Sequence, residues 1–158
     1  MIKNYLWIFF ISMVTLIELR GAIPVSQALQ MPIIPSYIVS IIGNMVPVPI
    51  IYFFARKVLV WGSDKRFIGK LFTAILEKGT KAGQKIQEKA GKGFFIALFL
   101  FVGIPLPGTG AWTGTLAASF LDMGFKETTK AVMLGVLIAG VIMGLASAGV
   151  FEAIRAFI

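Results

Sequence analysis

Residues 102–114 read V-G-I-P-L-P-G-T-G-A-W-T-G, and this stretch decides how the rest of the chain is read. Pro105 and Pro107 each remove a backbone donor and fix φ, and the glycines among them, Gly108 and Gly110 included, admit angles that other residues resist. A continuous helix through this segment is not expected. The apolar flanks, residues 93–101 and 111–123, are too short at about 1.5 Å per residue to cross a hydrocarbon core of about 30 Å. Two short arms joined by a Pro/Gly turn predict a re-entrant hairpin, with its tip at 105–110 inside the membrane. Irregular backbone at that depth is tolerated only where protein or a wet cavity satisfies its polar groups, so such a tip marks a pathway or a site.

Composition places the whole chain in the membrane. Of 158 residues, 58% are hydrophobic and 14% charged, and the mean hydropathy is +0.89. No small-residue cleavage site precedes Glu18 and Arg20, so the N-terminal apolar run is expected to stay. The absence of Cys and His excludes disulfides, thiolate metal sites and Cys- or His-based catalysis. No enzyme activity, metal or cofactor is therefore expected. The formal net charge is +8, but the aromatics lie in apolar runs away from the lysines, which favours anionic lipid headgroups over nucleic acid.

Working outward, residues 5–19 form a first apolar arm that runs into Glu18-Leu19-Arg20-Gly21-Ala22-Ile23-Pro24. Gly21 is expected to end one helix and Pro24 to open the next, so that residues 23–30 return as a short arm. Residues 31–35 then read as a surface turn and 36–55 as a full span, bent by Pro47 and Pro49. Residues 56–92 carry ten basic and three acidic side chains, which the positive-inside rule assigns to the cytoplasm. Within them Phe67, Leu71 and Ile75 recur on one face of an expected amphipathic helix, and Lys81, Lys85 and Lys89 share a polar face suited to anionic headgroups. After the second hairpin, residues 122–130 read as a cytoplasmic turn and 131–151 as a second span. Gly140, Gly144 and Ala148 form a small-residue stripe on that span, suited to packing within the chain or to a homodimer contact.

The two halves share one pattern of arm, broken tip, return arm, turn and span. The expected fold class is therefore an all-α integral membrane protein in one domain over 1–158. Repeat 1 covers about 4–56 and repeat 2 about 93–152, with inverted orientation, joined by the basic cytoplasmic segment 57–92. Matched broken segments in inverted halves point to a transporter with its site at the repeat interface.

Glu18 and Arg20 are the ionisable groups deep in an apolar run, where each requires a partner or water. Arg20 suits an anion anchor because guanidinium grips phosphate or carboxylate with a planar fork. Glu18 suits a proton carrier; the alternative for the pair is a structural ion pair. Thr109 and Thr113 are candidate hydrogen-bond donors beside them, while Gln27, Asn44 and Trp112 are candidate cavity-lining residues.

The motifs at 18–24 and 103–114 resemble those of the small multidrug export family, itself distantly similar to the DedA/VTT membrane proteins. Glu18 and Arg20 match the charged part of the first motif, and Pro105, Pro107, Gly108 and Gly110 match the second. The resemblance implies facing hairpins in a multi-pass protein of a prokaryotic plasma membrane, with a lipid or amphiphilic substrate such as undecaprenyl phosphate. It also implies dependence on the proton-motive force. One departure is that residues 93–121 carry no charge, whereas DedA-type hairpins are charged in both copies. The leading expectation is translocation of an anionic amphiphile. A proton-coupled exporter of lipophilic drugs is the alternative, and a membrane assembly protein is a third reading.

Overall fold

The first apolar run of the chain breaks where no proline or glycine marks it. In the computed structural model, which describes residues 2–14, 17–64, 69–70, 73–74, 77, 93–106 and 109–157, helix α1 (Ile2–Met13) ends there and α2 (Glu18–Ala28) begins. This corrects the expectation that the break falls at Gly21 and Pro24, because both lie inside α2. The cause is tertiary. The Trp112 indole N–H donates to the Met13 carbonyl at 3.0 Å, and Glu18 starts α2 with φ of 48°, a left-handed backbone that re-aims its side chain.

After α2 the chain turns at Leu29–Gln30, and α3 (Ile33–Met45) begins earlier than expected, taking Pro35 into its first turn. A proline is tolerated there because the first helical N–H groups have no partner within the helix. Val46 joins α3 to α4 (Pro47–Ser63) in a helical conformation, with φ of −58° and ψ of −44° and its N–H donating to the Ile42 carbonyl. The combined segment Ile33–Ser63 is a candidate membrane span of 31 residues, longer than the expected 36–55, because α4 continues past Arg56 and Lys57. Beyond a basic stretch that lies mostly outside the described residues, α5 (Gly93–Gly103) and α6 (Ala111–Phe120) flank the Pro/Gly segment. Helix α7 (Phe125–Phe157) takes up most of what reads in sequence as a turn at 122–130, and Phe125–Gly149 is the second candidate span. Among the described residues there is no strand. The expected amphipathic face with Phe67, Leu71 and Ile75, and the lysines Lys81, Lys85 and Lys89, lie outside the described residues.

The helices pack in a matched pattern. Helix α1 lies on α3 and α5 on α7, while α2 packs on α7 and α6 on α4. The close approaches coincide. A Cβ on Gly43 would meet the Phe9 carbonyl and the Ser12 side chain; a Cβ on Gly135, 92 residues on, would meet the Phe99 carbonyl and Val102. The turns after α2 and α6 coincide as well. Gln30 and Asp122 have φ of 54° and 57°, and Met31 N–H donates to Ser26 O as Met123 N–H donates to Ala118 O, both at 3.0 Å.

A single apolar core joins the halves, with Leu19 and Ile23 of α2, Val48 of α4, Val102 of α5 and Val132 and Val136 of α7 in one buried cluster. The small-residue stripe on α7 is used inside the chain. Gly140 lies against Tyr37 and Leu19, and the Tyr37 hydroxyl donates to the Leu137 carbonyl at 2.7 Å. Where Gly144 and Ala148 continue the stripe, an apolar cavity of about 240 Å³ opens between Ile23, Ile33, Tyr37 and Leu145.

Candidate functional site

The two sequence motifs meet. Glu18, at the first position of α2, is 5% exposed and turns its carboxylate to the start of α6, where Ala111 N–H and Trp112 N–H donate to it at 3.3 and 3.2 Å. These are long hydrogen bonds, but they satisfy two of the free donors of a helix N-terminus, whose dipole favours a negative charge. Gly110 makes the approach feasible. It carries φ of 147°, and a Cβ there would overlap the Glu18 carboxylate.

Arg20 takes the other side of the same tip. Its guanidinium donates to the Leu106 carbonyl and, at 2.8 Å, to the Thr109 hydroxyl. The Thr109 hydroxyl oxygen also lies 2.9 Å from the Ile104 carbonyl and 2.8 Å from that of Leu106, so it accepts from Arg20 while donating back to its own loop. On a regular helix residues i and i+2 diverge. Here both side chains reach one tip because the left-handed backbone at Glu18 reorients the first of them. Each charge thus has its own partner: the anion a helix N-terminus, the cation the Leu106 carbonyl and the Thr109 hydroxyl that follow α5.

The remaining sequence candidates divide. Pro105 and Gly110 lie in the non-helical segment between α5 and α6, and Pro107 and Gly108 fall outside the described residues. Gly21 and Pro24 sit within α2 and form no tip; Pro24, having no N–H, leaves the Arg20 carbonyl without its usual helical donor. Trp112 bonds the end of α1 and contributes its backbone N–H to Glu18. Thr113 is exposed, with its hydroxyl 3.5 Å from the Gly110 carbonyl. Gln27 donates to Ser26 Oγ at 3.4 Å on its own helix. Asn44 is buried, and its Oδ1 has no partner.

A second cluster was not anticipated. The Tyr52 hydroxyl donates to the Met123 carbonyl at 2.5 Å, and the Ser119 hydroxyl donates to the Tyr52 carbonyl at 2.8 Å. Arg56 pairs with Asp122. The cluster holds the end of α6 beside the second half of α4, so α6 runs alongside α4 from the tip toward the stretch of α4 that carries Arg56 and Lys57. Only the basic Arg56 and the acidic Asp122 were visible as a signal, separated by 66 residues.

A helical fold with two candidate spans and two short apolar helices, with a buried acid and a half-buried arginine at a non-helical tip, is that of a membrane protein. The sequence model of the family described as "Putative small multi-drug export protein" matches residues 18–142; the chain belongs to that family. The match opens on Glu18, at the start of α2, and takes in the second tip. No curated protein and no solved structure gives a match.

Proposed function

We propose that the chain is a membrane exporter whose substrate is an anionic amphiphile, a lipid phosphate by the chemistry of the site, whose binding is coupled to protonation of Glu18. In this reading residues 1–158 form two inverted repeats, each a re-entrant hairpin with a span, whose tips meet at the site. The observation that carries it is that the Glu18 carboxylate occupies the anion position at the α6 N-terminus, with Arg20 beside it. Protonating Glu18 removes the negative charge from that position. A phosphate headgroup then has the Ala111 and Trp112 N–H groups and the Arg20 fork available to it. The apolar cavity beside α7 supports an amphiphile, because its wall at Gly140 touches Leu19, the residue between Glu18 and Arg20.

The matched packing and turns, together with the Arg56–Asp122 pair on one membrane face, support the inverted arrangement. The family description fits a second reading equally, a proton-coupled exporter of lipophilic drugs in which Glu18 receives a cation. Binding of a long-chain alkyl phosphate and of a lipophilic cationic dye to protein in lipid nanodiscs separates the two. The expected result is that alkyl phosphate binding strengthens as the pH falls. It should be lost in Arg20→Ala, weakened in Arg20→Lys, and retained but independent of pH in Glu18→Gln. Dye binding that survives Arg20→Ala and disappears in Glu18→Gln supports the drug reading and overturns the anionic one.

A further inference from the structure

Five small polar residues line the interface of α1, α2 and α3, and all are buried: Ser12, Ser26, Ser36, Ser40 and Asn44. Ser36, Ser40 and Asn44 follow at i, i+4 and i+8 on α3, one face and roughly 12 Å of helix at about 1.5 Å per residue. Ser26 lies at the outer end of this line, where its carbonyl closes the α2–α3 turn. Ser12 lies at the inner end, against Gly43 and one residue from the end of α1. The seam therefore runs from one membrane face to the depth of the tip, where α2 starts with Glu18. That face is opposite the one where α4 carries Arg56 and Lys57.

The hydroxyls of Ser12, Ser26 and Ser36 donate to the Phe9, Ile23 and Pro32 carbonyls of their own chain segments, and Ser26 Oγ also accepts a long bond from Gln27 at 3.4 Å, so all three keep acceptor capacity for a further donor. Ser40 Oγ and Asn44 Oδ1, 0% and 2% exposed as residues, have no partner among the described residues. Pro47 has no N–H to offer the Gly43 carbonyl next to them. Buried polar atoms left in this way are costly unless something bonds them, and ordered water is what fills such sites. The fold does not itself demand these residues. At the matched positions of the other half stand Val102, Ala118, Thr128, Val132 and Val136, and the α5–α6–α7 interface closes with apolar side chains at four of the five.

We propose that the α1–α2–α3 seam holds a file of ordered water molecules and that this file is the proton route from that membrane face to Glu18. The second half of the statement rests on the proton role given to Glu18 above. A proton entering at the α2–α3 turn is passed from water to water, each releasing one as it gains one, and ends bonded to a Glu18 carboxylate oxygen. Among the described residues, the ionised neighbour of Glu18 is Arg20 on the same helix, and α6 presents backbone N–H groups to it. Lys3 and Tyr5 lie at the outer end of α1, Tyr37 of α3 is bonded to Leu137, and Lys126, Glu127 and Lys130 lie in the first turns of α7.

X-ray radiolytic labelling in nanodiscs, which marks side chains next to bound water, reads the file directly. The fully buried Ile8, on the α1 wall of the seam, should be labelled in the wild-type protein and fall to background in Ser40→Val/Asn44→Val, which copies Val132 and Val136. An unlabelled Ile8, or equal labelling in both proteins, overturns the water file. The Glu18 carboxyl infrared band, identified by its loss in Glu18→Gln, reads the route. It should titrate promptly after a pH jump in the wild type and slowly or not at all in the valine variant, and equal titration overturns the route. A wild-type band that never titrates overturns both the proton role of Glu18 and the route, while Ile8 still judges the water. If the valine variant does not fold, Ser40→Ala removes the hydroxyl without adding bulk and is read by the same two outcomes.

Discussion

The two halves of the chain build nearly the same frame and fill it differently. Gly43 and Gly135 each face a phenylalanine carbonyl and the side chain three residues on, from α1 and α5, and the turns at Gln30 and Asp122 make the same hydrogen bonds. Yet Ser40 and Asn44 of the first half stand where the second has Val132 and Val136. The charges divide in the same way: the first half places Glu18 and Arg20 at its tip, and the second brings only backbone N–H groups, carbonyls and Thr109 to meet them. One half carries both charges and a polar helix interface, and the other supplies a mostly apolar α5–α6–α7 interface and a ready-made receptor for both charges. Such a division teaches that a frame of this kind specifies where a side chain sits without specifying whether the site is wet.

The contact between the tips should be the most sensitive feature. Gly110→Val places a side chain where the Glu18 carboxylate lies, on a backbone with φ of 147°. It is expected to cost about 3 kcal/mol or more, since strained backbone alone accounts for about 1–3 kcal/mol. Thermal unfolding in detergent measures it, and an unchanged midpoint would mean that the tips do not touch. Next comes a graft that tests the polar and apolar fillings against each other. Val136→Asn puts an amide into the dry half with no partner, and should destabilise by about 1–3 kcal/mol; equal stability would show that the second interface is also wet. Smallest is the clamp between α4 and α6. Arg56 and Asp122 are 51% and 39% exposed, so Asp122→Ala should cost no more than about 1 kcal/mol, less at high salt than at low. A larger loss in the same unfolding assay would show the pair to be shielded from solvent.

The second tip was legible because its cause is local: Pro105 lacks an N–H, and Gly110 adopts an angle that few residues tolerate. The first tip was not. Residues 14–17 carry neither Pro nor Gly, and the helix ends there because Trp112 takes the Met13 carbonyl from nearly 100 residues away and Glu18 turns to α6. Gly21 and Pro24 misled for the converse reason. They are helix breakers by propensity, but the packing of α2 on α3 and α7 carries the helix through them. Glu18 and Arg20 were legible as a site from the cost of burying charge in an apolar run. Their partners were not, because nothing in a chargeless second motif announces that it will bind charges through its backbone. Asn44 was visible as a polar residue at depth, whereas the run Ser36–Ser40–Asn44 gains meaning only beside Thr128, Val132 and Val136.

The central claim is that the two hairpins enter from opposite faces and meet tip to tip, and single-cysteine labelling on this cysteine-free chain tests it most directly. Cysteines are placed one at a time at Asp64 after α4, at Gly124 between α6 and α7, and at Ile34 after the α2–α3 turn, and each is challenged with an impermeant thiol reagent from either side of sealed vesicles. The prediction is that Asp64 and Gly124 label from the same side and Ile34 from the other. Labelling of Asp64 and Gly124 from opposite sides would mean that α5 and α6 cross the membrane, and would contradict the inverted arrangement.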